Sequence, residues 1–159
     1  MLTRFIVGAL LLSHGTRKDV RASILFDDAR LVSFEGWSMR NVRPDEQSLS
    51  GILIAGLRRV EDKGFSRVLP GVTARESSII EITEKHDKKY YYKGPGCTYG
   101  LSGDFLVVLA ISQRDGMCED GLRKDGFDAI RVGSRPVTPD QAAVLINNLV
   151  DRTAQPSRQ

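Results

Sequence analysis

Apolar residues at helical spacing lie near both ends of the chain and predict two helices. At the N-terminus the series runs to Leu12, and Gly15 follows as the kind of residue that ends a helix. Near the C-terminus, Thr138-Pro139-Asp140-Gln141 has the spacing of a capping box, with proline in the first turn. The two apolar faces consist of Leu2, Phe5, Ile6, Ala9 and Leu10, and of Ala142, Leu145, Ile146, Leu149 and Val150.

A third helix is predicted to begin near Pro44. Proline suits the first turn of a helix, and the carboxylates of Asp45 and Glu46 favour the positive end of the helix dipole. Arg58 and Arg59 suit the negative end. The predicted buried stripe consists of Leu49, Ile52, Leu53, Leu57 and Val60.

Short apolar runs between these helices predict strands. Residues 20–26 and 31–34 flank Asp27-Asp28, which favours two strands joined by a turn. Residues 105–111 are almost continuously apolar, as in a strand of a parallel sheet that is buried on both faces. Further strands are predicted at 71–73, 89–92 and 128–132, and helical turns at 77–84 and 118–124.

The alternation of strands and helices predicts one α/β domain with a parallel sheet covered by helices on both sides. In such sheets, ligands bind beyond the carboxyl ends of the strands. Residues 133–136 lie between a predicted strand and the capped C-terminal helix. The pattern therefore predicts a pocket for a small polar ligand near residues 132–142.

Composition indicates a globular chain rather than a disordered or membrane protein. Of its 159 residues 41% are hydrophobic and 27% charged, and no apolar run reaches the roughly 18 residues that span a bilayer. The apolar N-terminus lacks a cleavage motif, so we interpret it as a core helix rather than a signal peptide. Cys97 and Cys118 are expected to be free thiols in the cytoplasm, and no metal site is expected.

The net charge of +3 and the pI near 9.0 are compatible with a nucleic-acid partner without requiring one. Basic residues also cluster along the chain, as they do in an RNA-binding surface or in an ordinary solvated face. The clusters are Arg17, Lys18 and Arg21; Arg40 and Arg43; and Arg58, Arg59, Lys63 and Arg67.

Three segments in register resemble the archaeal tRNA pseudouridine-54 N1-methyltransferases, which belong to the SPOUT class of S-adenosylmethionine-dependent RNA methyltransferases. The segments are Ala9 to Val20; Phe34-Glu35-Gly36 with Arg43 to Ser48; and Ile130 to Ser134 with Leu145 to Arg152. Each segment alone is a weak signal, whereas the three in order form a fairly specific one. Residues 61–127 are only loosely similar to the family.

The resemblance implies a SPOUT-like parallel-sheet domain over residues 1–151 with a C-terminal trefoil knot, followed by a polar tail at 152–159. It further implies a cytoplasmic homodimer that uses S-adenosylmethionine to methylate N1 of pseudouridine 54 in the T-loop of tRNA. The chain also departs from the family: the family's first strand is expected to be missing, and residues 109–116 replace a Gly-Asp-His motif. Ala142 stands where the family has a cysteine.

The resemblance also implies a set of site residues. The backbone after the last strand would hold the methyl donor, with Ala110 and Ile111 as the opposing wall; the remaining donor-binding residues are Val132, Gly133, Ser134, Val137 and Ala142. N1 of pseudouridine must lose a proton, so Arg43 and Asp45 are the predicted catalytic pair, with an ordinary helix-terminal charge as the alternative for Asp45. The predicted RNA contacts are Arg17, Lys18, Arg40 and Arg43. Trp37 would stack on a base or lie half-buried in the core, and we favour the core position.

Other functions are compatible with the same residues. A SPOUT-like dimer without a donor pocket would bind RNA or protein, and a related enzyme would methylate a pseudouridine of ribosomal RNA. A small nucleotide-binding protein is disfavoured, because the chain has no G-x-G-x-x-G or P-loop motif.

Overall fold

The computed structural model describes residues 1–98, 100–109 and 119–154, which divide into two compact units. The N-terminal unit comprises Met1–Ile82 and the C-terminal unit Thr83–Gln159. Each unit is described by itself, and one domain over residues 1–151 stays a prediction.

The N-terminal unit contains three helices and a four-stranded sheet. Strands β3, β4, β6 and β5 pair antiparallel in that order. Its elements are α1 (Leu2–Leu10), β1 (Leu11–Leu12), β2 (Gly15–Thr16), β3 (Arg21–Leu25), β4 (Arg30–Glu35), α2 (Glu46–Lys63), β5 (Phe65–Leu69), β6 (Val72–Glu76) and α3 (Ile79–Thr83), the last of which lies at the boundary.

The antiparallel sheet corrects the prediction of one parallel sheet. Only four residues join β3 to β4, and Pro70-Gly71 joins β5 to β6. Such short connections make hairpins, because a parallel pair needs a crossover of about a dozen residues or more. The predicted pairing across Asp27-Asp28 is confirmed, whereas strand β5 was not predicted.

Helix α2 packs against strands β4, β5 and β6 and forms the core of this unit. Leu49 and Val60 on the helix, and Val32, Phe34 and Val72 on the sheet, are at most 1% exposed. Burial of each such side chain stabilises the fold by roughly 1.5–3 kcal/mol. The predicted helix from residue 46 is therefore confirmed together with most of its buried stripe.

Two predicted helix ends are corrected. Helix α1 stops at Leu10, because the chain turns back as a small hairpin in which Leu11 pairs with Thr16. Helix α2 begins after its N-cap, Asp45, so Pro44 lies outside the first turn.

The C-terminal unit contains the predicted parallel sheet, with strand order β8-β7-β9. Alternate residues of β7 enter two apolar clusters: Tyr90 and Tyr92 pack with Ile146 of the last helix, and Tyr91 packs with Leu122 of α4. Helices thus cover both faces, as predicted for this type of sheet. The elements are β7 (Lys89–Gly94), β8 (Leu106–Val108), α4 (Glu119–Lys124), β9 (Asp128–Arg131) and α5 (Pro139–Ala154).

The capping residues of α5 confirm its predicted start. The backbone N–H of Thr138 donates to Oε1 of Gln141 at 3.1 Å, which is one half of a capping box. The helix runs to Ala154, so the predicted polar tail from Arg152 begins as helix. Residues 155–159 lie outside the described range.

Candidate functional site

The carboxyl ends of β7 and β9 meet at one edge of the parallel sheet. The N–H of Gly96 donates to the carbonyl of Gly133 at 2.8 Å, and the N–H of Val132 donates to the carbonyl of Gly94 at 3.1 Å. The loop after β7 therefore lies directly beside the β9–α5 loop (residues 132–138). This is the edge at which open α/β sheets bind ligands.

Two glycines keep side chains off this edge. Gly133 has φ +82°, and a Cβ there would lie 3.1 Å from Cδ1 of Leu145. Gly96 has φ +143°, and a Cβ there would lie 2.9 Å from the Cβ of Arg131. Larger residues would be strained at both positions, so the positive φ and the close packing against Leu145 and Arg131 favour glycine in both loops.

The structure brings most of the predicted donor-binding residues together. Val132 and Ala142 are buried in one apolar cluster, and Val137 packs against that cluster. Gly133 is close to the same valine, because a Cβ built on Gly133 would lie 4.0 Å from Cγ1 of Val137. Ser134 is exposed in the same loop. Ala110 and Ile111 lie outside the described residues.

Tyr92 adds a polar group that the sequence did not reveal. It packs against the cluster that contains Val132 and Ala142, two residues before the end of β7. Its hydroxyl is buried and, within the described residues, has no hydrogen-bond partner. A buried polar atom without a partner is costly, so such an atom is a candidate ligand contact.

A cation also lies near the end of β7. Nζ of Lys93 is 2.5 Å from Oε2 of Glu119 at the start of α4. The hydrogen bond from Lys93 is the main reason that the pKa of Glu119 is lowered from its ordinary value. The ion pair links β7 to α4 on the face opposite Tyr92.

The predicted RNA contacts lie in the N-terminal unit. Lys18 Nζ donates to Thr16 Oγ1 at 2.9 Å and to the carbonyl of Gly36 at 3.3 Å. The backbone N–H of Arg17 donates to the carbonyl of Leu10 at 2.8 Å. Arg40 has an exposed side chain. Arg17 and Lys18 thus belong to one segment that contacts the turn after β4.

Arg43 lines an open groove of about 400 Å³ on the N-terminal unit. Arg59 lines it too, and its Nη1 donates to the carbonyls of Arg67 and Val68 on β5 at 3.1 and 3.2 Å. The remaining wall is the face of α2 with Ser48, Ile52 and Ala55. The groove is made of other residues than the β9–α5 loop, which belongs to the C-terminal unit.

Asp45 caps helix α2. Its Oδ1 accepts the backbone N–H of Ser48 at 2.7 Å. This hydrogen bond is the main reason that the pKa of Asp45 is lowered below 3.8, and the charge of Arg43 contributes less. The catalytic roles of Arg43 and Asp45 stay predictions.

Trp37 is 47% exposed, so it is half-buried as favoured, but it does not belong to the buried core. The guanidinium carbon of Arg21 lies 5.1 Å from the centroid of a Trp37 ring, within the range of a cation–π contact. Core packing therefore does not explain why a tryptophan stands at position 37.

Neither metal ligands nor a membrane helix is found in the part of the chain that the structure describes. No three His, Cys, Asp or Glu side chains there are grouped so that they could hold a metal ion. None of the helices there combines the length and apolar character needed to cross a bilayer.

Comparisons with known proteins show the family of this chain. Residues 1–155 match the family model described as "Putative SAM-dependent RNA methyltransferase". The chain is 36% identical to a tRNA (pseudouridine(54)-N(1))-methyltransferase of Haloferax volcanii, over 95% of the chain and 81% of the relative. It is 25% identical to the protein of the same name from Methanospirillum hungatei, over 96% and 81%.

A solved structure shows the same fold at low identity. Nep1 of Archaeoglobus fulgidus, bound to S-adenosylhomocysteine, superimposes with a TM-score of 0.66 and 12% identity, over 95% of this chain and 68% of Nep1. The mixed α/β fold with a parallel sheet is therefore of the SPOUT type, as predicted. The chain belongs to the family of S-adenosylmethionine-dependent RNA methyltransferases.

Proposed function

We propose that this methyltransferase transfers the methyl group of S-adenosylmethionine to N1 of a pseudouridine in tRNA, at position 54 as in the names of its relatives. The observation that carries the proposal is the glycine-lined edge at Gly96 and Gly133, where two loops of a parallel sheet present backbone to a ligand. Family membership supplies the reaction class.

The residues at this edge fit the methyl donor. The backbone of residues 132–137 would hydrogen-bond to its polar parts, and Val132 and Ala142 would pack against its apolar parts. The hydroxyl of Tyr92, which has no hydrogen-bond partner among the described residues, would gain one from the donor. Ala110 and Ile111 remain the proposed opposing wall. When bound, the donor supplies a methyl group already activated by its positive sulfur, so the protein mainly has to align the reactants.

The acceptor nitrogen carries a proton that must leave, and its ring becomes more negative as it does. We assign Arg43 to the stabilisation of that charge, because its guanidinium lines an open groove. Asp45 would hold the segment of Arg43 in place through its cap on α2 rather than take up the proton, because a carboxylate with a lowered pKa is a weak base. Arg17, Lys18 and Arg40 would contact phosphates.

The C-terminal knot, the homodimer and the cytoplasmic location are parts of the same proposal. The knot and the dimer are what the resemblance to the pseudouridine-54 methyltransferases implies, and they are proposed for this chain because it belongs to the same methyltransferase family. Reaction on tRNA would place the enzyme in the cytoplasm.

Calorimetric titration of S-adenosylmethionine into the chain tests the donor site. We expect saturable binding that Gly133→Trp weakens by roughly 100-fold or more, because a side chain at this positive φ would press against Leu145 and force the proposed donor-binding loop to shift. Asp128→Trp, at the other end of β9, is the matched control and should bind normally. Thermal unfolding of both variants shows whether they are folded. A folded Gly133→Trp variant with parental affinity would refute the site.

A further inference from the structure

An exposed indole stands on the turn that follows β4 (residues 36–40, the Trp37 turn). Trp37 is the chain's single tryptophan and is 47% exposed. A large aromatic ring with one polar N–H favours surroundings that are partly dry, so exposed tryptophans often mark a contact surface.

The backbone of the Trp37 turn is held from several sides. The N–H of Gly36 donates to the carbonyl of Val20 at 3.0 Å, and the N–H of Met39 donates to the carbonyl of Glu35 at 2.9 Å. A Cβ at Gly36 would lie 1.7 Å from the carbonyl oxygen of Arg17, so only glycine fits there. Met39 is buried at 4% exposure and anchors the end of the turn. The ring is thus presented on a fixed support, which lowers the entropic cost of a contact.

One cation lies against this ring, and two more belong to the Trp37 turn or contact it. The guanidinium carbon of Arg21 lies 5.1 Å from the ring centroid, and Arg21 is itself held by Glu35 at 2.9 Å. Nζ of Lys18 lies against the carbonyl of Gly36 at 3.3 Å, and Arg40 has an exposed side chain at the end of the turn. An aromatic ring bordered by positive charges is complementary to a nucleic acid, which offers a flat base beside a negative phosphate.

We propose that Trp37 is the stacking platform for an unpaired base of the RNA substrate, with Lys18 and Arg40 on the neighbouring phosphates. The proposal deepens the assignment of an RNA substrate and rests on it. Single-stranded loops can splay a base onto an aromatic ring or an Arg guanidinium, whereas a paired base inside a duplex is already stacked. Trp37 therefore favours loop RNA over duplex RNA.

Intrinsic fluorescence tests the platform, because all tryptophan emission of the chain comes from Trp37. The probes are a short single-stranded oligouridylate and an abasic ribose-phosphate oligomer of equal length. We expect the oligouridylate to quench the emission saturably, and the abasic oligomer to bind through its phosphates without quenching. Calorimetric titration, which does not need the indole, should show that Trp37→Ala weakens oligouridylate binding roughly tenfold, as expected for the loss of one base–aromatic stack, and that Trp37→Phe weakens it less.

Phe65→Ala removes another exposed aromatic ring, 59% exposed on β5, and should leave RNA affinity unchanged. Equal oligouridylate affinity of Trp37→Ala and the parent would overturn the platform, as would quenching by an acidic peptide but not by RNA. Calorimetry with S-adenosylmethionine on the same samples separates this outcome from a failure of the methyltransferase proposal, which would appear as absent donor binding in the parent itself.

Discussion

The two units present their candidate sites by opposite means. In the N-terminal unit the candidate contacts are side chains, the guanidinium of Arg43 and the indole of Trp37, carried by turns at an antiparallel sheet. In the C-terminal unit the candidate contacts are mainly backbone groups, in two loops whose conformation depends on Gly96 and Gly133. The N-terminal surface would therefore bind through side chains, whereas the C-terminal edge would bind through backbone groups.

The two kinds of site should tolerate substitution to different degrees. A backbone site tolerates substitution wherever the glycines and the apolar supports remain, so the sequence between them can drift. A side-chain site depends on each charged or aromatic group. Substitutions in the N-terminal unit should therefore alter RNA binding and turnover, and those in the C-terminal unit should alter donor binding.

Arg43→Ala should have the largest effect of the substitutions that sharpen this contrast. Loss of a cation that stabilises developing charge typically costs about 10²- to 10³-fold in turnover. We therefore expect kcat to fall by roughly 100-fold with pseudouridine-containing RNA, while the calorimetric Kd for S-adenosylmethionine stays constant. Arg58→Ala, on α2 but not among the groove residues, is the control. A loss of donor affinity in Arg43→Ala would contradict the assignment of donor binding to the C-terminal unit.

Tyr92→Phe should have smaller effects, and it should raise the stability of the free chain while it weakens donor binding. Removal of a buried hydroxyl that has no partner within the described part of the chain should raise the Tm of the free chain by about 2–4 °C, because such a group is costly. The same change should raise the Kd for S-adenosylmethionine by roughly tenfold if the hydroxyl bonds the donor. Differential scanning calorimetry with and without donor measures both quantities. A higher Tm with unchanged donor affinity would show that the Tyr92 hydroxyl affects stability and does not bind the donor.

Asp45→Asn should have the smallest effect near neutral pH. Asparagine caps helices about as well as aspartate, so the Tm and kcat should stay close to those of the parent. A large loss of kcat in a folded variant would instead identify Asp45 as the proton acceptor.

The pH dependence of Asp45 has a definite sign. Because folding lowers the pKa of this carboxyl below 3.8, its stabilisation is complete above that value and is lost as pH falls through the lower folded pKa. Acid unfolding monitored by circular dichroism should therefore be less steep below about pH 4 in Asp45→Asn than in the parent. Identical acid profiles would contradict the cap as a source of pH-dependent stability.

Local sequence signals predicted those features that depend on only a few neighbouring residues. The capping box at Thr138 and Gln141 gave the start of α5, and the rule for strand ends gave the loop at Gly133. The antiparallel sheet was missed because strand order depends on distant pairing, although Pro70-Gly71 between two short runs is a recognisable hairpin signal that would have revealed β5.

The site residues that the sequence misjudged depend on packing rather than on pattern. Among the described residues, the Tyr92 hydroxyl lacks a partner because its ring packs against an apolar cluster that includes residues of α5. The exposure of Trp37 follows from a turn held by Gly36, where no side chain fits against Arg17. Neither property can be derived from residue type and spacing alone.

Methyl transfer to a defined RNA tests the central claim most directly. The chain is incubated with S-adenosylmethionine and a T-arm hairpin that carries pseudouridine at position 54, or uridine there as the control, and the RNA is examined by mass spectrometry. The account predicts the mass of one added methyl group on the pseudouridine hairpin and none on the uridine hairpin, because N1 of uridine carries the bond to ribose and has no proton to lose. Equal methylation of both hairpins, or none by a folded chain that binds the donor, would contradict it.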